Sequence, residues 1–135
     1  MIVLDSSVLI AIIKGEPEAE QLLDVLAADE CVLGAPTLVE TRAWCTMNLT
    51  AHSSRWLEHF IDSGAVAVVP FSREMADGAS AAFVTFGRGS KHPAKLNFGD
   101  CLAYAVSAVM QAPLLFKGAD FARTDVMAHP ASIRT

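Results

Sequence analysis

Basic charge is what this 135-residue chain has too little of: ten lysines and arginines stand against fifteen aspartates and glutamates, for a formal net charge of -5. A protein that holds nucleic acid by bulk attraction carries the opposite sign. Any polyanion must therefore be met by a local basic patch or by a bound cation. Long apolar runs are also missing, since polar or charged residues break every run well short of the roughly 20 residues that a membrane span requires. No basic leader precedes "IVLD" at residues 2–5, so the expectation is a cytoplasmic protein with no membrane association. The cysteines, Cys31, Cys45 and Cys101, are odd in number and far apart in apolar surroundings. That excludes a disulfide framework and a zinc pattern, and leaves reduced core residues. No Walker-type phosphate loop or G-x-S-x-G elbow occurs. His52, His59, His92 and His129 do not cluster by spacing and are expected singly in the surface or core.

Apolar residues, by contrast, make up 53% of the chain and charged ones only 19%, which leaves little polar surface to cover so small a body. The length suits one domain, residues 1–135, and the composition predicts a homodimer or a bound partner chain. Short β-rich runs alternate with longer helical patterns, the signature of an α/β fold with a mainly parallel sheet. Strands are expected at 2–5, 31–34, 65–69 and 113–116, with a short fifth at "DVMAH" (125–129). Helices are expected at about 6–13, 18–28, 36–49, 53–62, 72–86 and 98–111.

In such a fold ligands bind at the carboxyl ends of the strands, and four acids map to that edge. Asp5 closes the first strand, Glu40 is expected in the first turn of the helix after the second, Asp100 opens the last long helix, and Asp120 follows the fourth strand. Each has a purely structural explanation as a helix cap: Asp5 for "SSVLIAII", Glu40 in a capping box with Thr37, Asp100 with Asn97, and Asp120 at a turn. Their shared edge is harder to explain that way. Asp100 makes the strongest case, because the only other polar side chains on its helix, Tyr104, Ser107 and Gln111, form one narrow stripe beneath it. A carboxylate at the mouth of an otherwise apolar helix, facing other carboxylates, needs a proton or a cation.

An oxygen-only ligand set points to Mg²⁺, with Mn²⁺ as a substitute, rather than to zinc. A hard cation with open positions suits phosphoryl chemistry. Ser7 and Thr37 are candidates to orient ligands or water, although a helix-start role explains Ser7 equally well and Thr37 better. Arg88, Lys91 and Lys95, in the loop "GRGSKHPAKLN", are the candidate contacts to an RNA phosphate.

These residues resemble a PIN domain, and specifically the VapC-type toxin ribonucleases of type II toxin–antitoxin pairs. The similarity runs through "MIVLDSSVLIAII", "GAPTLVETR", "KLNFGDCLAYAVS" and "PLLFKGADFARTDV", nearly the whole chain. It implies an α/β/α sandwich around a sheet of four to five strands and a Mg²⁺-dependent endoribonuclease. Asp5, Glu40 and Asp100 match the family's core acids, with Asp5 and Asp100 as direct metal ligands, and Asp120 matches a more variable fourth. It also implies a homodimer and a cognate VapB-type antitoxin that blocks the acidic site and carries the pair to operator DNA. One departure is Ala119, where the family often has a polar residue, which leaves Asp125 as a rival fourth acid. Two other interpretations remain: a catalytically inactive PIN-like binding module, and a receiver-like signalling domain in which Lys117 is the lysine near the last acid. The second wants an acid pair early in the chain, where Asp5 is followed by two serines.

Overall fold

The computed structural model describes residues 1–48 and 51–135, apart from the side chains of 51–53. In chain order the elements are β1 (Ile2–Leu4), α1 (Ser6–Lys14), α2 (Ala19–Ala28), β2 (Cys31–Gly34), α3 (Ala35–Asn48), α4 (Ala51–Asp62), β3 (Val66–Val69), α5 (Arg73–Phe86), α6 (Phe98–Met110) and β4 (Leu114–Leu115), followed by a 3₁₀ turn at Phe121–Arg123. The strands pair in the order β3-β2-β1-β4, and every pairing is parallel. A receiver-like sheet would place β1 between β2 and β3, so the strand order sets that alternative aside.

Strand alternation divides the core in two. Ile2, Leu4, Cys31, Leu33, Val66 and Leu115 face the helices α1 to α4. Val3, Val32, Leu114 and Phe116 face α5 and α6. The result is the expected three-layer α/β/α arrangement. All three cysteines are free and buried, as their spacing predicted. Among the described residues no helix is long and apolar enough to cross a membrane.

The differences from expectation lie at ends and edges. No fifth strand forms at 125–129: Ala128 makes only an isolated bridge to Leu114, and Ile133 another to Lys117. This tail still covers the outer edge of β4, with the Leu114 N–H donating to Met127 O, His129 N–H to Leu114 O and Gly118 N–H to Ile133 O. Helix α3 begins at Ala35, so Thr37 and Glu40 lie inside it and no Thr37–Glu40 capping box exists; Glu40 falls in the second turn rather than the first. The expected end of this helix at 49, and the side chain of His52, lie outside the described residues. Helix α4 starts at Ala51, before the expected residue 53.

Helix α6 is nearly enclosed, with Cys101, Ala103, Ala105, Val106 and Ser107 buried. Its polar stripe does not extend the acid site. The Tyr104 hydroxyl donates to Asp125 at 2.6 Å, the Ser107 hydroxyl donates to Ala112 O at 2.6 Å, and Gln111 ends the helix in the left-handed conformation at φ 52°. These polar residues fasten the tail and terminate the helix.

Where β2 runs into α3, the sheet and α6 approach too closely for a side chain. A Cβ at Gly34 would stand 2.9 Å from Val106 Cγ2. Gly34→Ala should lower stability by about 1–3 kcal/mol through overpacking; a denaturant melt with an unchanged midpoint would show that α6 yields there.

Candidate active site and metal centre

The winding of the sheet reverses between β1 and β4, the place where an open α/β sheet leaves a crevice at the strand ends. A cavity of about 370 Å³ opens there, bordered by Asp5, Ser6, Ser7, Glu40, Asn97, Asp100 and Asp120, with Glu16, Lys117 and Gly118 on a further wall. The four predicted acids thus meet at one cavity although they come from four separate segments. Asp125 does not border it; that side chain is engaged by Tyr104 on another face.

Each acid is placed by local structure. Asp5 is the N-cap of α1, and its Oδ2 accepts the Ser7 N–H at 3.0 Å. The side chain is buried, and Oδ1 has no hydrogen-bond partner among the described residues. Burial raises the Asp5 pKa, against the opposing effect of the hydrogen bonds from Ser7 and Ser6. A buried carboxylate oxygen without a partner carries a cost of a few kcal/mol unless something electropositive meets it.

Asp100 sits in a reciprocal capping box: Asn97 Oδ1 accepts the Asp100 N–H at 2.8 Å, and Asp100 Oδ2 accepts the Asn97 N–H at 2.9 Å. The structural and functional explanations are therefore compatible, because the cap occupies one carboxylate oxygen and leaves the other. Burial first, and then repulsion from Asp5, Asp120 and Glu40, pushes the Asp100 pKa up to about 7, with the Asn97 hydrogen bond opposing.

Glu40 reaches the cavity from the second turn of α3. Its pKa is raised by burial and, more weakly, by Asp5, while a hydrogen bond with the Ser6 side chain lowers it. Its carboxylate packs over Gly99 so closely that a Cβ built there would collide with it, with Glu40 Cδ only 2.7 Å away. Asp120 occupies the N-cap position of the 3₁₀ turn but makes no side-chain cap bond, so its exposed carboxylate is free of the structural duty expected of it.

The supporting residues divide. Ser7 borders the cavity, and its hydroxyl accepts the Lys117 N–H at 3.0 Å, tying α1 to the end of β4. Thr37 is buried in α3 and does not border the cavity; its carbonyl accepts the Thr41 hydroxyl at 2.8 Å. Arg88, Lys91 and Lys95 are exposed on the loop that runs into Asn97, and none of them lines the cavity. That loop is held by the Arg88 N–H to Leu96 O and Leu96 N–H to Phe86 O bonds, with His92 edge-on to Phe86 at 4.9 Å. His59 is exposed and His129 serves a local turn, its Nδ1 accepting the Ala131 N–H.

Sequence reasoning missed Ser6, Glu16 and the placement of Lys117. Only the pairing of two serines after Asp5 hinted at the first. Nothing local marks Glu16, which reads as punctuation in "GEP". Glu16 differs from the other acids in that Lys117 holds its pKa below the usual range.

Among the described residues no histidine or cysteine borders the cavity, so the donors there are carboxylate, hydroxyl and amide groups. Among the described residues no three His, Cys, Asp or Glu side chains are gathered into a cage. The acids border one cavity at a distance, as like charges do. The orphaned Asp5 oxygen and the raised Asp100 pKa fit a hard divalent cation that would draw them in.

The PIN domain family model matches residues 2–127. The chain belongs to the PIN-domain family. Within it the chain is 41% identical to ribonuclease VapC28 of Mycobacterium tuberculosis over 125 residues, covering 92% of this chain and 94% of that protein. Among solved structures, the Mycobacterium tuberculosis toxin VapC20, which cleaves the sarcin–ricin loop, has a TM-score of 0.75 at 16% identity, covering 93% of this chain and 96% of that one. VapBC2 of Rickettsia felis, bound to a promoter DNA fragment, has a TM-score of 0.72 at 14% identity, covering 95% and 96%. These two structures share the fold of this PIN domain.

Three expectations follow from the geometry. An acid whose folded-state pKa lies above its unfolded value contributes stability that is complete below the unfolded pKa and is lost as pH rises through the folded one. For Asp100 that window runs from 3.8 to about 7. Metal-free protein should therefore lose thermal stability across it. Asp100→Asn keeps an acceptor for the Asn97 N–H, removes the charge, and should melt roughly 3–6 °C higher than the parent at pH 8. A lower melting temperature in that variant would mean that the charge itself holds the cap. Gly99→Ala should fold normally, because the flexible end of Glu40 can move, yet weaken Mn²⁺ binding by about tenfold. Calorimetric titration with an unchanged affinity would remove Glu40 from the site.

Proposed function

We propose that this PIN domain is the toxic component of a type II toxin–antitoxin system, a single-domain endoribonuclease that hydrolyses RNA phosphodiester bonds with Mg²⁺, for which Mn²⁺ substitutes. The buried, unpartnered Oδ1 of Asp5, in a cavity bordered by four further acids, carries this proposal. The similarity to VapC28 supports the substrate class. Asp5, Glu40, Asp100 and Asp120 would hold the cation; when bound it supplies Lewis acidity toward the phosphate and lowers the pKa of water. The chain's own contribution is to orient the donors. The Ser7 N–H fixes Asp5 Oδ2, the Asn97 N–H fixes Asp100 Oδ2, and Ser6 steadies Glu40, so these three carboxylates each have one oxygen or edge restrained, and Asp120 does not. Arg88, Lys91 and Lys95 are proposed to receive the RNA backbone beside the acid cavity.

As partners we propose a cognate VapB-type antitoxin that covers the cavity, with operator DNA engaged only through the antitoxin, all within the cytoplasm. The assembly of VapBC2 on promoter DNA in a protein of the same fold supports this. Homodimerisation is supported by the large apolar side chains left exposed, among them Phe98 at 73%, Val84 at 77% and Met47 at 80%.

The test is to incubate antitoxin-free protein with total RNA, with and without Mg²⁺ or Mn²⁺, and to map the ends. Cleavage should require the cation and fall at least a hundredfold in Asp100→Asn. Absence of cation-dependent cleavage by well-folded protein would favour the inactive PIN-like binding module instead.

A further inference from the structure

Among the described residues the acid cavity has one cation in its wall, Lys117. Lys117 follows β4, and its ammonium donates to Glu18 Oε2 at 2.9 Å and to Glu16 Oε2. Glu16 borders the same cavity and is also approached by Lys14 at 3.4 Å. Two of the three ammonium donors are thus engaged, and the third has no acceptor among the described residues. The backbone at this point is immobilised, since the Lys117 N–H is fixed on the Ser7 hydroxyl and the Gly118 N–H on Ile133 O. A flexible four-carbon stem on a fixed backbone lets the charge move while its base stays beside Asp5.

Resting on the ribonuclease assignment above, we propose that Lys117 is a phosphate-receiving residue for the RNA strand, held at the cavity wall by Glu16 and Glu18. The argument is one of charge. Five carboxylates border this cavity, and the basic loop does not. An RNA phosphate entering it meets repulsion from every ionisable side chain except Lys117. The two glutamates hold the ammonium in place when no phosphate is present and compete with phosphate when it arrives. Lys117 follows β4 and the Arg88–Lys95 loop precedes α6, so the chain brings these cations from two separate segments, and only Lys117 lines the cavity itself.

A staple between α2 and β4 would use the same contacts, so the test must separate the two roles. Binding of a fluorescein-labelled single-stranded RNA of mixed sequence is read by anisotropy at several salt concentrations, with Ca²⁺ present to hold the acids. Lys117→Met should weaken binding about tenfold and lower the salt slope by roughly 0.7, the value for one lost phosphate contact on a single strand. Lys117→Arg should keep most of the affinity. Glu16→Gln with Glu18→Gln should tighten binding severalfold by freeing the ammonium, and adding Lys117→Met should abolish that gain. A staple alone predicts lower melting temperatures in both sets of variants and no opposite movement in affinity. An unchanged salt slope in Lys117→Met, or a gain that survives in the triple variant, overturns the proposal. Should Lys117→Met fail to fold, the glutamate pair and Lys117→Arg still decide: no gain in the pair overturns it. Wild-type protein that binds no RNA overturns the ribonuclease assignment itself, whereas normal binding indifferent to Lys117 overturns this inference alone.

Discussion

A carboxylate taken out of water must be compensated, and at Asp5 the fold compensates only half of it. One oxygen caps α1; the other is buried without a partner. The remaining features of the cavity make sense around that incomplete compensation. Asp100 is placed where its pKa climbs to about 7, the Glu40 carboxylate occupies the space that a side chain at Gly99 would take, and the hydroxyl and amide donors are each directed at one edge of an acid. Such an arrangement is costly for the empty chain and would be relieved by the divalent cation proposed above, which is the pattern of a site that gives up stability for binding.

The sheet makes the arrangement possible with little specialised structure. Parallel strands all deliver their carboxyl ends to one edge, and the reversal between β1 and β4 leaves that edge open. Helix caps do the aiming. Asn97 and Asp100 satisfy each other's backbone donors, and the same bonds fix where the carboxylate points. Capping uses one oxygen of that side chain, and the proposed ligation would use the other.

Much of this was legible in the sequence because it is local. Strand alternation, helical stripes and the run "LNFGD" announce elements and caps within a few residues of themselves, and four acids at strand ends announce the edge. What was illegible is long-range. Lys117 reaches Glu16 across 101 positions, and the two are simply a loop lysine and a turn glutamate until the fold joins them. The expected fifth strand failed for a related reason: the alternation at 125–129 is real, but the β4 it would pair with is only two residues long, so the tail is held by scattered bonds instead of a ladder. Glu40 was placed one turn too early because Ala35 and Pro36 start α3 directly from β2, without the polar cap that a sequence reader looks for. The choice between Asp120 and Asp125 could not be made from spacing; their surroundings differ because Tyr104, 21 positions away, engages only the second.

The bond between the Ser7 hydroxyl and the Lys117 N–H spans 110 positions. Beside it, β1 pairs directly with β4. One wall of the acid cavity is therefore made of two segments that lie far apart in the sequence and side by side in the sheet. Neither segment forms that wall alone, so the acids can share one cavity only after β1 and β4 have paired. For a protein proposed to cut RNA, that topology ties the site to completion of the sheet: a partly folded chain has the acids but not the cavity.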